Sequence, residues 1–264
     1  MTSTMPAKAR NNKTPMWQTL LAVAFWVAVW QGLAVCIGHN GLFLATPLQT
    51  VQTLWRLLPT ADFWHRVGFS ALRILTGFVL AVTVGLLLGA CGARWRWFGT
   101  LVGPVMQLIR AMPVASFVIL ALLWVSGKNL SVIVSFTHVL PVVYAGTVGG
   151  IADTDPALLE MAKVYRLPLG KRLRYIWLPG MFPSFCENCI AAMGMCWKSG
   201  VSAEVIGLPD HSVGDALYRA KITISTPEVF AWTLVIVLLS ATLSTLSAWA
   251  LRRAKRALCG EVEG

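Results

Sequence analysis

Residues 155–179 read DPALLEMAKVYRLPLGKRLRYIWLP. This is the one long stretch in the second half of the chain that is too polar to lie across a membrane. Asp155 suits a helix N-cap, and Pro156 suits the first helical turn. Leu158, Leu159, Ala162 and Tyr165 fall on one apolar stripe at helical spacing. Pro168 ends that helix. Gly170 and a basic run of Lys171, Arg172 and Arg174 follow, while Leu173, Ile176 and Trp177 share a second helical face. Pro179 closes the segment. The expectation is a helix–turn–helix outside the bilayer, apolar on one side and basic on the other.

Outward from this loop the sequence is apolar. Of 264 residues, 56% are hydrophobic and 12% are charged, against about 25% charged in a soluble domain. The charges lie between long apolar runs, as in a polytopic membrane protein. The expected fold class is all-α and integral to the membrane, with about six transmembrane helices. Spans are expected near residues 17–37, 68–92, 101–125, 130–151, 181–206 and 228–251, with the polar loop at 152–180. Residues 1–15 form a basic N-terminal tail and 252–264 a C-terminal one. The first run is read as a retained anchor. A cleaved signal peptide would need a shorter apolar core and small residues at a cleavage site. Between the first two spans, Thr46-Pro47 opens an interfacial helix with Leu48, Val51, Leu54, Trp55 and Leu58 on one face. In the second span Gly77, Ala81, Gly85 and Gly89 form a small-residue ladder at four-residue spacing, which admits a close neighbouring helix.

The formal charge of +11 has a topological source. With six spans, one side collects Lys8, Arg10, Lys13, Arg94, Arg96, the five basic residues of 155–179, and Arg252, Arg253, Lys255 and Arg256. The other holds Arg56, Arg66, Lys128, Arg219 and Lys221, with Arg73 near its boundary. The positive-inside bias therefore places both termini and the 155–179 loop in the cytoplasm. No basic–aromatic platform of the nucleic-acid type is present, so no nucleic-acid partner is expected.

Within the loop, Glu160, Met161 and Ala162 are followed by three residues and Arg166, then nine residues and Ile176, Leu178 and Pro179. This resembles the EAA loop of binding-protein-dependent ABC importer permeases, whose pattern is E-A-A, three residues, Gly, nine residues, I-x-L-P. Met161 replaces an Ala and Arg166 replaces the Gly. The resemblance covers roughly residues 45–250 and is strongest to the sulfonate/taurine/nitrate branch. SALRILTGFVLA (70–81) and IRAMPVASF (109–117) also carry it. It implies a type I permease fold with a cytoplasmic coupling helix that docks on an ABC ATPase dimer. The docking residues so implied are Leu158, Leu159, Glu160, Ala162, Arg166, Ile176, Leu178 and Pro179. It further implies a second permease copy, forming a homodimer, and an extracytoplasmic solute-binding protein. ATP and Mg would be bound by the ATPase, with no cofactor in this chain. A basic amphipathic hairpin lying on anionic lipid is the competing reading of the loop, and the ordered motif positions oppose it.

The chain lacks G-x-x-x-x-G-K-[ST] and H-E-x-x-H. Cys186 and Cys189 form C-x-x-C, but no second ligand pair accompanies them, so helix packing accounts for them better than zinc does. No catalytic or metal residues are assigned. Intramembrane charges are the remaining clues. Lys198 falls towards the outer half of the fifth span with Ser202 one turn on and Glu204 further out. It is read either as a snorkelling or Glu-paired lysine or as lining an anion path. Arg110, before Pro113, is read either as paired with Glu187 or with carbonyls freed by Pro113, or as part of a gate hinged at the proline. A membrane-embedded enzyme using Asp153, Asp155 and Glu160, or a stand-alone secondary transporter, are the alternative functions.

Overall fold

The computed structural model describes residues 16–37 and 44–259, and every regular element among them is a helix. The expected tail at 1–15, residues 260–264 of the other tail, and 38–43 of the first loop lie outside the described residues. The helices are α1 (Met16–Ile37), α2 (Pro47–Leu57), α3 (Ala61–Arg94), α4 (Arg96–Ala111), α5 (Val114–Ala121), α6 (Gly127–Ala152), α7 (Pro156–Val164), α8 (Leu169–Arg172), α9 (Leu178–Gly207), α10 (Val213–Ile222) and α11 (Thr226–Cys259). By length and hydropathy α1, α3, α6 and α11 are each able to cross a membrane, and the bent pair α4–α5 makes a fifth if counted as one span. Helix α9 has 30 residues, about 45 Å at the helical rise, but carries Glu187, Lys198 and Glu204.

Helix α6 is the centre of the bundle. Parallel α3 packs on one side of it and antiparallel α9 on another. The ladder on α3 makes the first contact possible. A Cβ at Gly77 would sit 2.5 Å from the Val132 carbonyl oxygen, one at Gly85 2.9 Å from the Val143 side chain, and one at Gly89 2.6 Å from Thr147. On the α9 side the small residues belong to α6: a Cβ at Gly146 would meet Asn188 at 2.7 Å, and one at Gly150 would meet the Met181 carbonyl oxygen at 2.8 Å. The core between the three helices contains Ile74, Ala81, Val139, Val143, Cys189, Cys196 and Trp197. Trp197 is fully buried, and its indole N–H donates to the Ile236 carbonyl of α11 at 3.0 Å.

Three elements differ from the sequence expectation. The third span is not one rod: α4 and α5 meet at 102°. Pro113 lacks an N–H and forces Met112 out of the helical region, to φ −71° and ψ 130°. Pro179 does not close the loop. Helix continues from Leu169 through a π-helical stretch, Leu173–Trp177, into α9. Leu178 N–H bonds back five residues to the Leu173 carbonyl, and Pro179, in the first turn of α9, has no amide hydrogen to place. Finally, the capping box of Thr46 and Gln49 starts α2 as expected, but Leu48, Val51 and Trp55 face outward while Thr50 and Thr53 turn inward. The predicted stripe of α2 is thus split: Leu48, Val51 and Trp55 face away from the protein, as on a helix that lies in lipid, whereas Leu54 and Leu58 pack on the cluster around Phe63 and Trp232.

Replacing Gly85 with Val tests the α3–α6 approach. The overpacked contact is expected to cost about 1–3 kcal/mol, read as a lower thermal midpoint of the detergent-solubilised protein. Gly103→Ala, where nothing lies within 4 Å, should leave the midpoint unchanged or raise it.

Candidate functional site

The 155–179 loop forms a hairpin at one end of the bundle. Asp155 Oδ1 accepts the Ala157 N–H at 2.8 Å and starts α7. The helix ends in a Schellman turn: Leu167 N–H donates to the Ala162 carbonyl at 3.0 Å and Arg166 N–H to the Lys163 carbonyl at 3.1 Å. That turn demands a left-handed residue, and Arg166 supplies it with φ 48°. A side chain there costs about 1–2 kcal/mol relative to glycine. Arg172 Nη2 reaches back to donate to the Ala162 carbonyl at 3.0 Å, closing the hairpin. Its base is tied to the bundle by Ser184 Oγ, which donates to Asp153 Oδ2 at 3.3 Å.

The hairpin separates the motif residues by face. Ala162 is fully buried and Ile176 is 5% exposed, so both shape the hairpin from within and offer no surface. Leu159 and Pro179 are half-buried, whereas Glu160 and Arg166 are exposed and Leu178 is just so. The apolar surface turned outward comes from Leu158, Met161, Val164 and Tyr165 of α7, with Leu169 and Leu173 beyond the turn. Val164 is 78% exposed and Tyr165 73%. Sequence periodicity had put Ala162 on the outward seat and left out Met161 and Val164. Met161 stands where the motif has Ala, and that departure was the available signal.

Along α9 nearly every side chain is covered except on one narrow strip. Glu187, Ala191, Met195, Lys198 and Ser202 are exposed at steps of four, four, three and four residues. The exposed faces of α3 and α11 are instead mostly hydrocarbon, with Leu72, Val79 and Leu87 on one and Val237, Leu238 and Leu246 on the other. Their exposed threonines are bonded back to their own helices. Neither pairing considered for the two intramembrane cations is formed: among the described residues Lys198 and Arg110 have no ion pair. Ser202 Oγ donates to the Lys198 carbonyl at 2.8 Å, so the two share the strip. Arg110 and Pro113 are exposed on either side of the α4–α5 bend. Lys198 lies twenty residues along α9 from Leu178, about 30 Å from the hairpin, so these path candidates and the hairpin are separate sites joined by one helix.

Glu204, six residues on, lies on the face of α9 away from Lys198 and is committed elsewhere. It is fully buried, and its Oε2 accepts from Ser70 Oγ of α3 at 2.6 Å and from the Gly214 N–H of α10 at 3.3 Å. Ser70 Oγ in turn accepts the Val213 N–H at 2.9 Å. Gly214 permits this because its Cα packs directly on Glu204. Beside it Asp215, 4% exposed, receives Arg66 Nη1 at 2.9 Å and Arg219 Nε at 2.8 Å. Arg66 Nε also bonds Asp62 at 2.6 Å. This polar knot fastens α10 to α3 and α9 at the end of the bundle opposite the hairpin. The Ser212–Asp215 cap and the four-residue spacings Asp62–Arg66 and Asp215–Arg219 are its local traces in the sequence; the long-range partners left none.

Comparison with known proteins is in keeping with this arrangement. The family described as "Binding-protein-dependent transport system inner membrane component" matches residues 68–258. A putative aliphatic sulfonates transport permease of Escherichia coli K12 is 29% identical over 248 residues, covering 91% of this chain and 93% of the relative. A nitrate import permease of Synechococcus elongatus is 23% identical over 250 residues, covering 89% of this chain and 88% of the relative. A taurine transport system permease of Escherichia coli K12 is 23% identical over 247 residues, covering 91% and 89%.

Ser70→Ala removes the hydroxyl that joins Val213, Glu204 and α3. It should cost about 1–3 kcal/mol, because two buried groups lose their partner. The expected readout is faster amide exchange across residues 213–222 with a lower thermal midpoint. Thr76→Ala, an exposed hydroxyl bonded only within α3, should change neither.

Proposed function

The chain belongs to the family of binding-protein-dependent transport system inner membrane components, and from that premise we propose that it is the path-forming subunit through which a small anion enters the cell. It is a multi-pass ABC importer permease whose relatives include sulfonate, nitrate and taurine permeases. The proposed substrate is a small organic or inorganic anion of that kind. The observation that carries the anion assignment is Lys198, an unpaired ammonium on the one polar strip of α9. A lysine that faces lipid in the outer half of a span is disfavoured unless it snorkels to the interface, and the strip it stands on fits a water-filled path or a protein interface. A second copy of the chain would bring a second strip to the same cavity. Two ammonium groups there attract an anion without binding it too tightly to leave.

The hairpin is the proposed link to a separate cytoplasmic ATPase. Leu158, Met161, Val164 and Tyr165 supply an apolar face that none of the described residues covers, with Glu160 beside it as a polar contact. Ala162, Ile176 and the Arg166 turn hold that face in shape, while Leu178 and Pro179 join it to α9. The six-span topology, with both termini and the hairpin in the cytoplasm, follows from the charge bias. ATP and Mg stay with the ATPase, and this chain breaks no bond. Closure of the ATPase dimer would push on α7. The π-helical join and the Asp153–Ser184 tie pass that displacement into α9 and α6 as rigid elements. At the far end of α9 the Glu204 knot carries it to α10, beside the surface where a solute-binding protein would deliver substrate. Arg110 and the Pro113 bend sit where α4 and α5 can change angle without unfolding either helix.

Purification of the chain from its native membrane should bring with it a P-loop ATPase. Leu158→Asp or Glu160→Lys is expected to abolish that association while leaving the chain folded and membrane-inserted. Co-purification unaffected by either variant would remove the hairpin as the docking element.

Lys198→Met is expected to lower substrate uptake about tenfold or more, since a hydrogen bond to a charged group contributes about 1.5–3 kcal/mol, with ATPase association intact. Uptake of unchanged rate and selectivity would take Lys198 off the path.

A further inference from the structure

Between α9 and the last turns of α11 runs a groove of about 780 Å³, lined by Ile190, Ser244, Thr245, Trp249, Arg252 and Arg253. We infer that it is a binding site for one anionic phospholipid of the adjoining leaflet.

Its depth in the membrane is set by sequence. Arg252 and Arg253 end the apolar run of α11 at 226–253, and Trp249 precedes them by one turn. Tryptophan next to arginine marks the level of the headgroups. The Arg253 guanidinium lies 5.5 Å from the Trp249 ring centroid, a cation–π contact that keeps the charge at this level. Among the described residues no carboxylate lines the groove and neither arginine has an ion pair. The mouth of the groove is therefore a doubly cationic site facing a lipid surface. Basic pockets between transmembrane helices are fitted to anionic headgroups in this way.

The shape favours a lipid over a free anion. Ser244 lies eight residues before Arg252 on the same helix, about 12 Å deeper at the helical rise. The groove thus offers guanidinium groups at phosphate depth and, below them, the side chains of Ala248 and Ile190 along the start of an acyl chain. A phosphate or sulfonate alone would use only the arginine end. The groove is also distinct from the polar strip of α9: Ile190 is half-buried against α11 and lies outside the Glu187–Lys198–Ser202 row. The inference needs α11 to cross the membrane and does not depend on which solute is transported. A lipid held here would brace α9 against α11 beneath the indole–carbonyl bond of Trp197.

The test is competitive binding to the full chain in detergent, followed by native mass spectrometry and thermal unfolding, with equimolar phosphatidylglycerol and phosphatidylcholine. The wild type should retain phosphatidylglycerol preferentially and be stabilised by it. Arg252→Gln with Arg253→Gln should lower the relative affinity about tenfold to thirtyfold, from about 1 kcal/mol per arginine. The paired change to lysine should keep the preference. Equal retention of the two lipids by the wild type would overturn the site, as would an undiminished preference in the glutamine variant. Inorganic phosphate that displaces phosphatidylglycerol and stabilises the protein equally would also overturn it, by showing a free-anion site. If the glutamine variant does not fold, the wild-type competition between the two lipids and phosphate decides the matter alone.

Discussion

Helix α6 is gripped on two sides where there is no room for a side chain. On the α3 face Gly77, Gly85 and Gly89 let backbone and β-carbons of α6 approach to distances that a methyl group would forbid. On the α9 face the missing side chains are those of Gly146 and Gly150. In a lipid environment hydrophobic burial does not drive helix association, and close van der Waals packing of this kind has to supply it. The consequence is a three-helix unit whose members cannot slide past each other without collision. Everything else is placed by that unit: the hairpin hangs from the ends of α6 and α9, α5 folds back onto their other end through Val118, Ala121, Leu130 and Ala203, and α11 packs on α9.

Rigidity explains how two distant sites can belong to one device. The outward face of α7 and the ammonium of Lys198 are about 30 Å apart along α9, too far for any direct interaction. Helix runs without a break from Leu169 to Lys198, because Pro179 occupies a first-turn position and the π-helical stretch before it absorbs the missing hydrogen bond. Helix α7 is tied to it by the turn at Arg166 and the Arg172–Ala162 bond. At the far end Glu204 is spent on Ser70 and Gly214 rather than on Lys198. That assignment of one carboxylate leaves the lysine charge unneutralised and gives α10 a firm attachment. A salt bridge between Glu204 and Lys198 would have cancelled the polar strip and loosened the outer end together.

The two departures from the loop motif have opposite characters. Arg166 occupies a turn that glycine makes without strain, and the turn forms regardless, with both of its backbone hydrogen bonds in place. The strain is local and small beside the packing that holds the hairpin. Met161, in contrast, changes what the hairpin presents. It is 43% exposed in the middle of the apolar face, where an unbranched, polarisable side chain adapts to the contours of a partner surface. The unusual position is thus a feature of the surface, while the unusual turn is a tolerated cost.

Much of this protein was legible in its residues taken in order. The apolar runs gave an all-helical membrane protein, the four-residue ladder on α3 marked a close helix contact, and the spaced positions from Glu160 to Pro179 pointed to the importer permeases. Those properties are local: hydropathy, helical period and cap chemistry are set by neighbours within a few residues. The tertiary structure alone decided which of those residues face outward. It turned Ala162 and Ile176 inward, bent the third apolar run by 102° at Pro113, and ran helix through Pro179. It also drew Glu204 to Ser70, 134 positions away, and so left Lys198 free. A carboxylate near a lysine in sequence has no fixed partner until the chain is packed, because burial makes it bond whatever donors the neighbouring helices bring within reach.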